Sequence, residues 1–234
     1  MLFRSAKHAD DAKWLPEMAK VLSKVFLRFM PDDVARPMFK MLTKGASERL
    51  DLDPATLNKL VDKGVEIDKL GKYADDMLSA GSDPAAIKEL IEKQADGTIK
   101  ISLEKTFWAV KSEKGTVDTM WLEKGQLRDG SLNPYKYDTG GAGWEHIRNN
   151  HIVNPSGNQF LRYGSQYSEE ENVQDLIRNA VKNGDEHIVD GDIWRVSSID
   201  TSEGKKYISI LVGSNGYIVN ALPHLADSLK VFYP

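Results

Sequence analysis

The sequence predicts an α+β protein: a small N-terminal helical bundle, then a compact domain of two or three helices packed on an antiparallel sheet of three to five strands. Three observations predict it. Apolar residues up to residue 96 recur at helical spacing and are punctuated by Asp-Pro and Gly. Residues 168–184 have the pattern of one amphipathic helix. From Ile193 onward the pattern switches to short strand-like runs, with Asn215-Gly216, a strong hairpin signal, between the last two.

The elements follow in order. From Trp14, the residues Met18, Val21, Leu22, Val25, Phe26 and Phe29 form a helical stripe, with Lys13, Lys20, Lys24 and Arg28 on the opposite side. A basic amphipathic helix of this kind can lie on a membrane surface, and it can equally be a solvated face over a core-packed stripe. Asp53-Pro54 and Asp83-Pro84 each place an N-cap and a first-turn proline before an apolar run, and Gly64, Gly81 and Gly97 stand where helices should stop. DPATLNKLV and DPAAIKELI resemble each other, but one such match is two related helix starts, not a solenoid.

Residues 97–140 are expected to be a connector. Ile99, Ile101 and Leu103 alternate as in a strand, and the Gly-, Asn-, Pro- and Asp-rich stretch from Gly125 to Gly143 has loop composition. Trp144 to Asn150 is expected as a short helix ended by the two asparagines. Ser168 to Glu171 is expected as a capping box, opening a helix with Val173, Leu176, Ile177 and Ala180 on its apolar face. Strands are expected at Ile193–Ile199, Lys206–Val212 and Tyr217–Leu222. This divides the chain into a helical module (1–96), a connector (97–140) and an α+β domain (141–234).

Composition narrows the function. With 41% hydrophobic and 28% charged residues the chain is ordinary for a globular protein, and no apolar run approaches the roughly 18 residues of a membrane span. The start, MLFRSAKHADDAKWL, lacks a signal-peptide pattern, which fits a cytosolic protein or a piece of a longer secreted one. The absence of cysteine removes disulfides, thiol nucleophiles and Cys-ligated metals. A net charge of −4, and eight basic against twelve acidic residues in 141–234, argue against binding by broad phosphate attraction.

Chemistry concentrates in Gly143-Trp144-Glu145-His146-Ile147-Arg148-Asn149-Asn150-His151, which holds two of the five histidines. Two imidazoles suit proton transfer near neutral pH. Five residues apart, they point about 140° from each other on a continuous helix, so sharing a site requires the helix to end near Asn150 and His151 to turn back. The plainer readings are a helix histidine bonding a neighbouring carbonyl and a C-terminal histidine bonding the last carbonyls. Arg148 and Arg162 are candidate phosphate contacts, and Tyr217 is either a base-stacking ring or a cross-strand packing partner.

G-W-E-H-I-x-x-x-H, a capped helix, and strands ending N-G-Y-I-V-x-x-x-P together resemble the barnase/EndoU/colicin/RelE-like nuclease domains found at the C-termini of bacterial polymorphic and contact-dependent inhibition toxins. The resemblance covers residues 141–234, and its order of elements is more specific than any single motif. It implies a metal-independent ribonuclease, often acting on tRNA, that turns the ribose 2′-hydroxyl on the adjacent phosphate and needs no cofactor. By position it makes His146 and His151 the acid–base pair and Arg195 the phosphate-stabilising cation. It also sets Asn220 where relatives carry a hydroxyl residue. It further implies delivery within a larger secreted or surface protein into the cytoplasm of a target cell. A cognate immunity protein is implied too, as is membrane or receptor contact by the N-terminal helices. Two alternatives are a metal-dependent HNH-type nuclease, from His146, Asn149, Asn150 and His151, and a non-catalytic interaction module with a degenerate nuclease-like fold.

Overall fold

A computed structural model describes residues 50–127, 140–154, 156–224 and 232. Among them are five α-helices and two antiparallel sheets, an α+β arrangement. The Trp14–Phe29 stripe lies outside the described residues, and so do Asp227 and Lys230.

The chain forms two compact units, 1–75 with 91–100, and 76–90 with 101–234. In the first, α1 (Pro54–Asp62) starts as its sequence dictates: the Asp53 carboxylate accepts Thr56 N–H at 2.9 Å and the Thr56 hydroxyl at 2.8 Å. These bonds hold the Asp53 carboxyl below its usual pKa. Gly64, Gly81 and Gly97, all near φ +80°, end α1, α2 (Ile67–Ser79) and α3 (Pro84–Asp96), as expected of helix-stopping glycines. Leu57, Leu60, Ile67, Leu70 and Ala95 are buried.

The second unit begins before the expected boundary. Asp83 gives its carboxylate to Lys111 N–H at 2.8 Å and to the Lys182 ammonium at 2.8 Å, tying the start of α3 to the sheet domain. The expected strand at Ile99–Leu103 does not form. Leu103–Lys105 is a single 3₁₀ turn, and β1 is Thr106–Lys111, paired with β2 (Thr119–Glu123). The continuous apolar run Trp108-Ala109-Val110, wholly buried, is what the extended segment follows. The expected connector is therefore, from Ile101 to Leu127, part of the sheet unit.

Next come α4 (Trp144–His151), α5 (Glu170–Asn183) and four strands in spatial order: β3 (Asp185–Val189), β4 (Asp192–Thr201), β5 (Gly204–Val212) and β6 (Ile218–His224). The α5 stripe of Val173, Leu176, Ile177 and Ala180 is buried as expected, but the capping box is not made. Ser168 ends a 3₁₀ turn and its hydroxyl meets Glu169 Oε1 at 3.4 Å, while Glu169 occupies the cap without a side-chain bond. β3 was absent from the sequence reading. Asp190 (φ +53°) and Gly191 (φ +88°) turn it into β4 as a two-residue hairpin, an Asp-Gly signal of the same kind as Asn215-Gly216.

The β5–β6 connection spans Gly213 to Tyr217, closed by Gly213 N–H to Tyr217 C=O at 2.8 Å. At Gly216 (φ +100°) a Cβ would collide with the Thr119 carbonyl, because β2 lies against this turn and Trp121 N–H bonds the Gly216 carbonyl at 3.1 Å. Trp108, Trp144, Phe160, Ile177, Ile208 and Ile210 belong to one core joining α4, α5 and both sheets.

Candidate functional site

α4 is held at its start by backbone. Gly143 N–H bonds the Val219 carbonyl of β6 at 3.1 Å, and Glu145 N–H bonds the Lys124 carbonyl at 2.9 Å. Gly143 sits at φ +79°, and a Cβ there would strike the Tyr217 hydroxyl. Trp144 and Ile147 point into the core. The rest of the helix is polar yet buried: His146 is 6% exposed, Asn149 2%, Asn150 6% and His151 8%. Arg148 escapes this burial and pairs with Glu170, Nε to Oε1, at 2.6 Å.

α4 includes His151 and ends at Ile152, so the expected reversal before His151 does not occur. The two imidazoles therefore leave one continuous helix in different directions, and each has its own partners. Asn149 Nδ2 donates to Asn150 Oδ1 at 3.1 Å, which turns the Asn150 amide nitrogen toward His146 Nε2 at 3.4 Å. His146 Nε2 therefore acts as an acceptor in this arrangement. His151 Nδ1 lies 3.2 Å from Gln159 Oε1, and its ring packs edge-on to Phe160 with centroids 6.4 Å apart. The Asn220 side chain lies against the same ring without meeting Nε2 in hydrogen-bond geometry. His151 Nε2 is buried and has no hydrogen-bond partner among the described residues.

Burial is the main cause that holds the His151 pKa below the ordinary imidazole value, and the neighbouring His146 and Arg162 push the same way. The Gln159 bond and Asn220 oppose them in part. The outcome is a neutral imidazole at neutral pH, with a buried nitrogen able to take a proton.

The structure brings together only some of the expected residues. Asn220, on β6 beside the register shift at Leu211/Val212, joins His151, and its Oδ1 also accepts Ala221 N–H at 2.8 Å. Arg162 is electrostatically coupled to His151, with its guanidinium bonded to the Gln159 carbonyl at 3.0 Å and the Pro223 carbonyl at 3.2 Å. Tyr217 stands at the opposite end of α4, about 12 Å along the axis from His151 at 1.5 Å per residue. Its ring packs on Trp121 with centroids 6.0 Å apart, and burial with Glu123 nearby raises its pKa to about 12.

Arg195 is the main correction. It is 0% exposed, and its guanidinium donates to the Val117 carbonyl at 2.7 Å and to the Lys114 and Gly184 carbonyls. It also pairs with Glu186 at 3.2 Å. These groups pin the β1–β2 turn to the sheet, and no described contact joins Arg195 to either imidazole. A cation surrounded by its own carbonyls has no face to offer a phosphate. Its acidic partner, Glu186, lies on β3.

Gln159 was missed because it lies in a polar turn, NPSGNQF, with neither periodicity nor motif. Only the 3₁₀ segment Gln159–Tyr163 carries it to His151. Among the described residues, no three His, Asp or Glu side chains are grouped so that they could hold a metal ion. No protein-family model matches the chain, and no curated protein matches it in sequence.

Proposed function

We propose that residues 141–234, within the sheet unit that also takes in 76–90 and 101–127, carry a metal-independent ribonuclease site whose base is His151. The observation that carries this reading is the His151 imidazole, kept neutral by burial, with Nε2 free of partners among the described residues, Asn220 beside it and His146 near enough to act on it electrostatically. Nε2 takes the proton of a ribose 2′-hydroxyl while that oxygen attacks the adjacent phosphorus. The bond to the 5′-oxygen breaks, and His146, whose ring proton sits on Nδ1 when Nε2 accepts from Asn150, supplies the proton the leaving oxygen needs. Asn220 and Arg162, which both act on the His151 imidazole, are the proposed phosphate contacts. The sequence resemblance extends the proposal to a toxin domain acting on tRNA, delivered by the N-terminal helices and neutralised by a cognate immunity protein.

The test is cleavage of total RNA and tRNA by the full chain in excess chelator, beside His146→Ala and His151→Ala. Cleavage that survives chelation and drops about 100-fold or more in each variant supports the reading, because a positioned acid or base contributes roughly 10²–10⁴-fold. One observation favours a second reading. Both imidazoles are almost wholly enclosed, as structural histidines are. On that reading the domain is a non-catalytic interaction module, and folded wild-type chain leaves every RNA intact.

A further inference from the structure

We propose that Gln159 is the positioning residue of this site: its side-chain carbonyl takes the proton on His151 Nδ1 and so fixes the tautomer that leaves the lone pair on Nε2. This rests on the ribonuclease reading for its catalytic half and on geometry alone for its structural half. Gln159 Oε1 and His151 Nδ1 are 3.2 Å apart, and Oε1 can only accept, so the shared proton belongs to Nδ1. A neutral imidazole holds one ring proton, which places the lone pair on Nε2, the buried nitrogen without a partner among the described residues. Phe160, next in sequence, packs against the same ring, so the turn that brings the amide also limits rotation of the imidazole.

A carboxylate in this place would do more than orient. It would stabilise the imidazolium and raise the pKa of the base, whereas an amide orients without adding charge. The other groups around the ring agree with that design. His146 from the same helix and Arg162 from the Gln159 turn both oppose a positive charge on His151, and Asn220 from β6 is neutral. Gln159 thus keeps His151 correctly oriented, while burial, His146 and Arg162 keep it unprotonated, as a base facing a 2′-hydroxyl requires.

The experiment is long-range ¹H–¹⁵N correlation of the histidine rings in the full, ¹⁵N-labelled chain at about pH 8, with wild type, Gln159→Leu and Gln159→Glu compared. The wild type should show His151 protonated on Nδ1 and bare on Nε2. Gln159→Leu should move the proton to Nε2, the tautomer free imidazole prefers. Cleavage by Gln159→Leu should fall about 10- to 100-fold in kcat with KM unchanged, as for other groups that orient a working histidine. Gln159→Glu should keep the wild-type tautomer and move the acid limb of the pH profile upward. A wild-type His151 carrying its proton on Nε2 overturns the proposal, whether or not RNA is cut, and so does an unchanged tautomer in Gln159→Leu. A tautomer switch in a chain that cuts no RNA overturns the ribonuclease reading, and with it the catalytic half of this one.

Discussion

His151 and Arg195 show how burial assigns different roles to two residues that were both expected in the site. His151 stays neutral, so in the folded protein it resists protonation as the pH drops. The unfolded chain, with an ordinary imidazole near 6.5, takes up the proton first. Stability is therefore complete above about pH 6.5 and declines as the pH falls below it toward the depressed folded value. Urea titrations from pH 8 to pH 5 should show this decline in the wild type and a shallower one in His151→Leu. Cleavage should hold to pH values below 6.5 before its acid limb begins. Arg195 behaves otherwise: Arg195→Ala leaves Glu186 with its bonds from Thr116 but without this cation, takes the guanidinium donor from the Lys114, Val117 and Gly184 carbonyls, and should cost roughly 3–5 kcal/mol in denaturant melts. Whatever fraction of that variant stays folded should cut RNA at the wild-type rate. His151 was legible as an acid–base candidate, but the role of Arg195 was not, because Gly184, Lys114, Val117 and Glu186 converge on it only through tertiary structure.

At the scale of elements, local signals were read well where they concern a single turn. Asp53-Pro54 opens α1 with the expected cap, and Asp53→Ala should cost about 1 kcal/mol, measured as lost hydrogen-exchange protection in α1. The α5 stripe and the last three strands also fall where periodicity placed them. Asp83 looked the same as Asp53, yet its carboxylate serves Lys111 and Lys182 from distant elements, a choice no local pattern reveals. Gly216 illustrates a turn residue with two duties. Its left-handed backbone turns the chain, and its missing Cβ admits the Thr119 carbonyl of β2. Gly216→Ala should lower the melting temperature by several degrees, more than a turn strain of about 1 kcal/mol alone accounts for in a chain of this size.

At the scale of the molecule, the α+β class was legible because helical and strand periods occupy separate stretches of the chain. The boundary was not. Residues 97–140 read as a connector, but Trp108, Val110, Met120 and Leu122 from that span lie in the core with Ile208 and Ile210. The α4 site depends on this arrangement, since β2 holds the Gly216 turn and the Lys124 carbonyl receives the first turn of α4. What the sequence could not supply was the enclosure of the two histidines on one unbroken helix, which arises from β6 and the Gln159 turn closing over it. The most direct measurement of the ribonuclease claim is the chemistry of the ends left on a defined RNA in the presence of chelator. An accompanying strand should carry a single 2′-deoxy nucleotide at the cut site. The account predicts 2′,3′-cyclic phosphate and 5′-hydroxyl ends, and no cut in the deoxy strand. Ends bearing 5′-phosphate, or equal cutting of the deoxy strand, would contradict it.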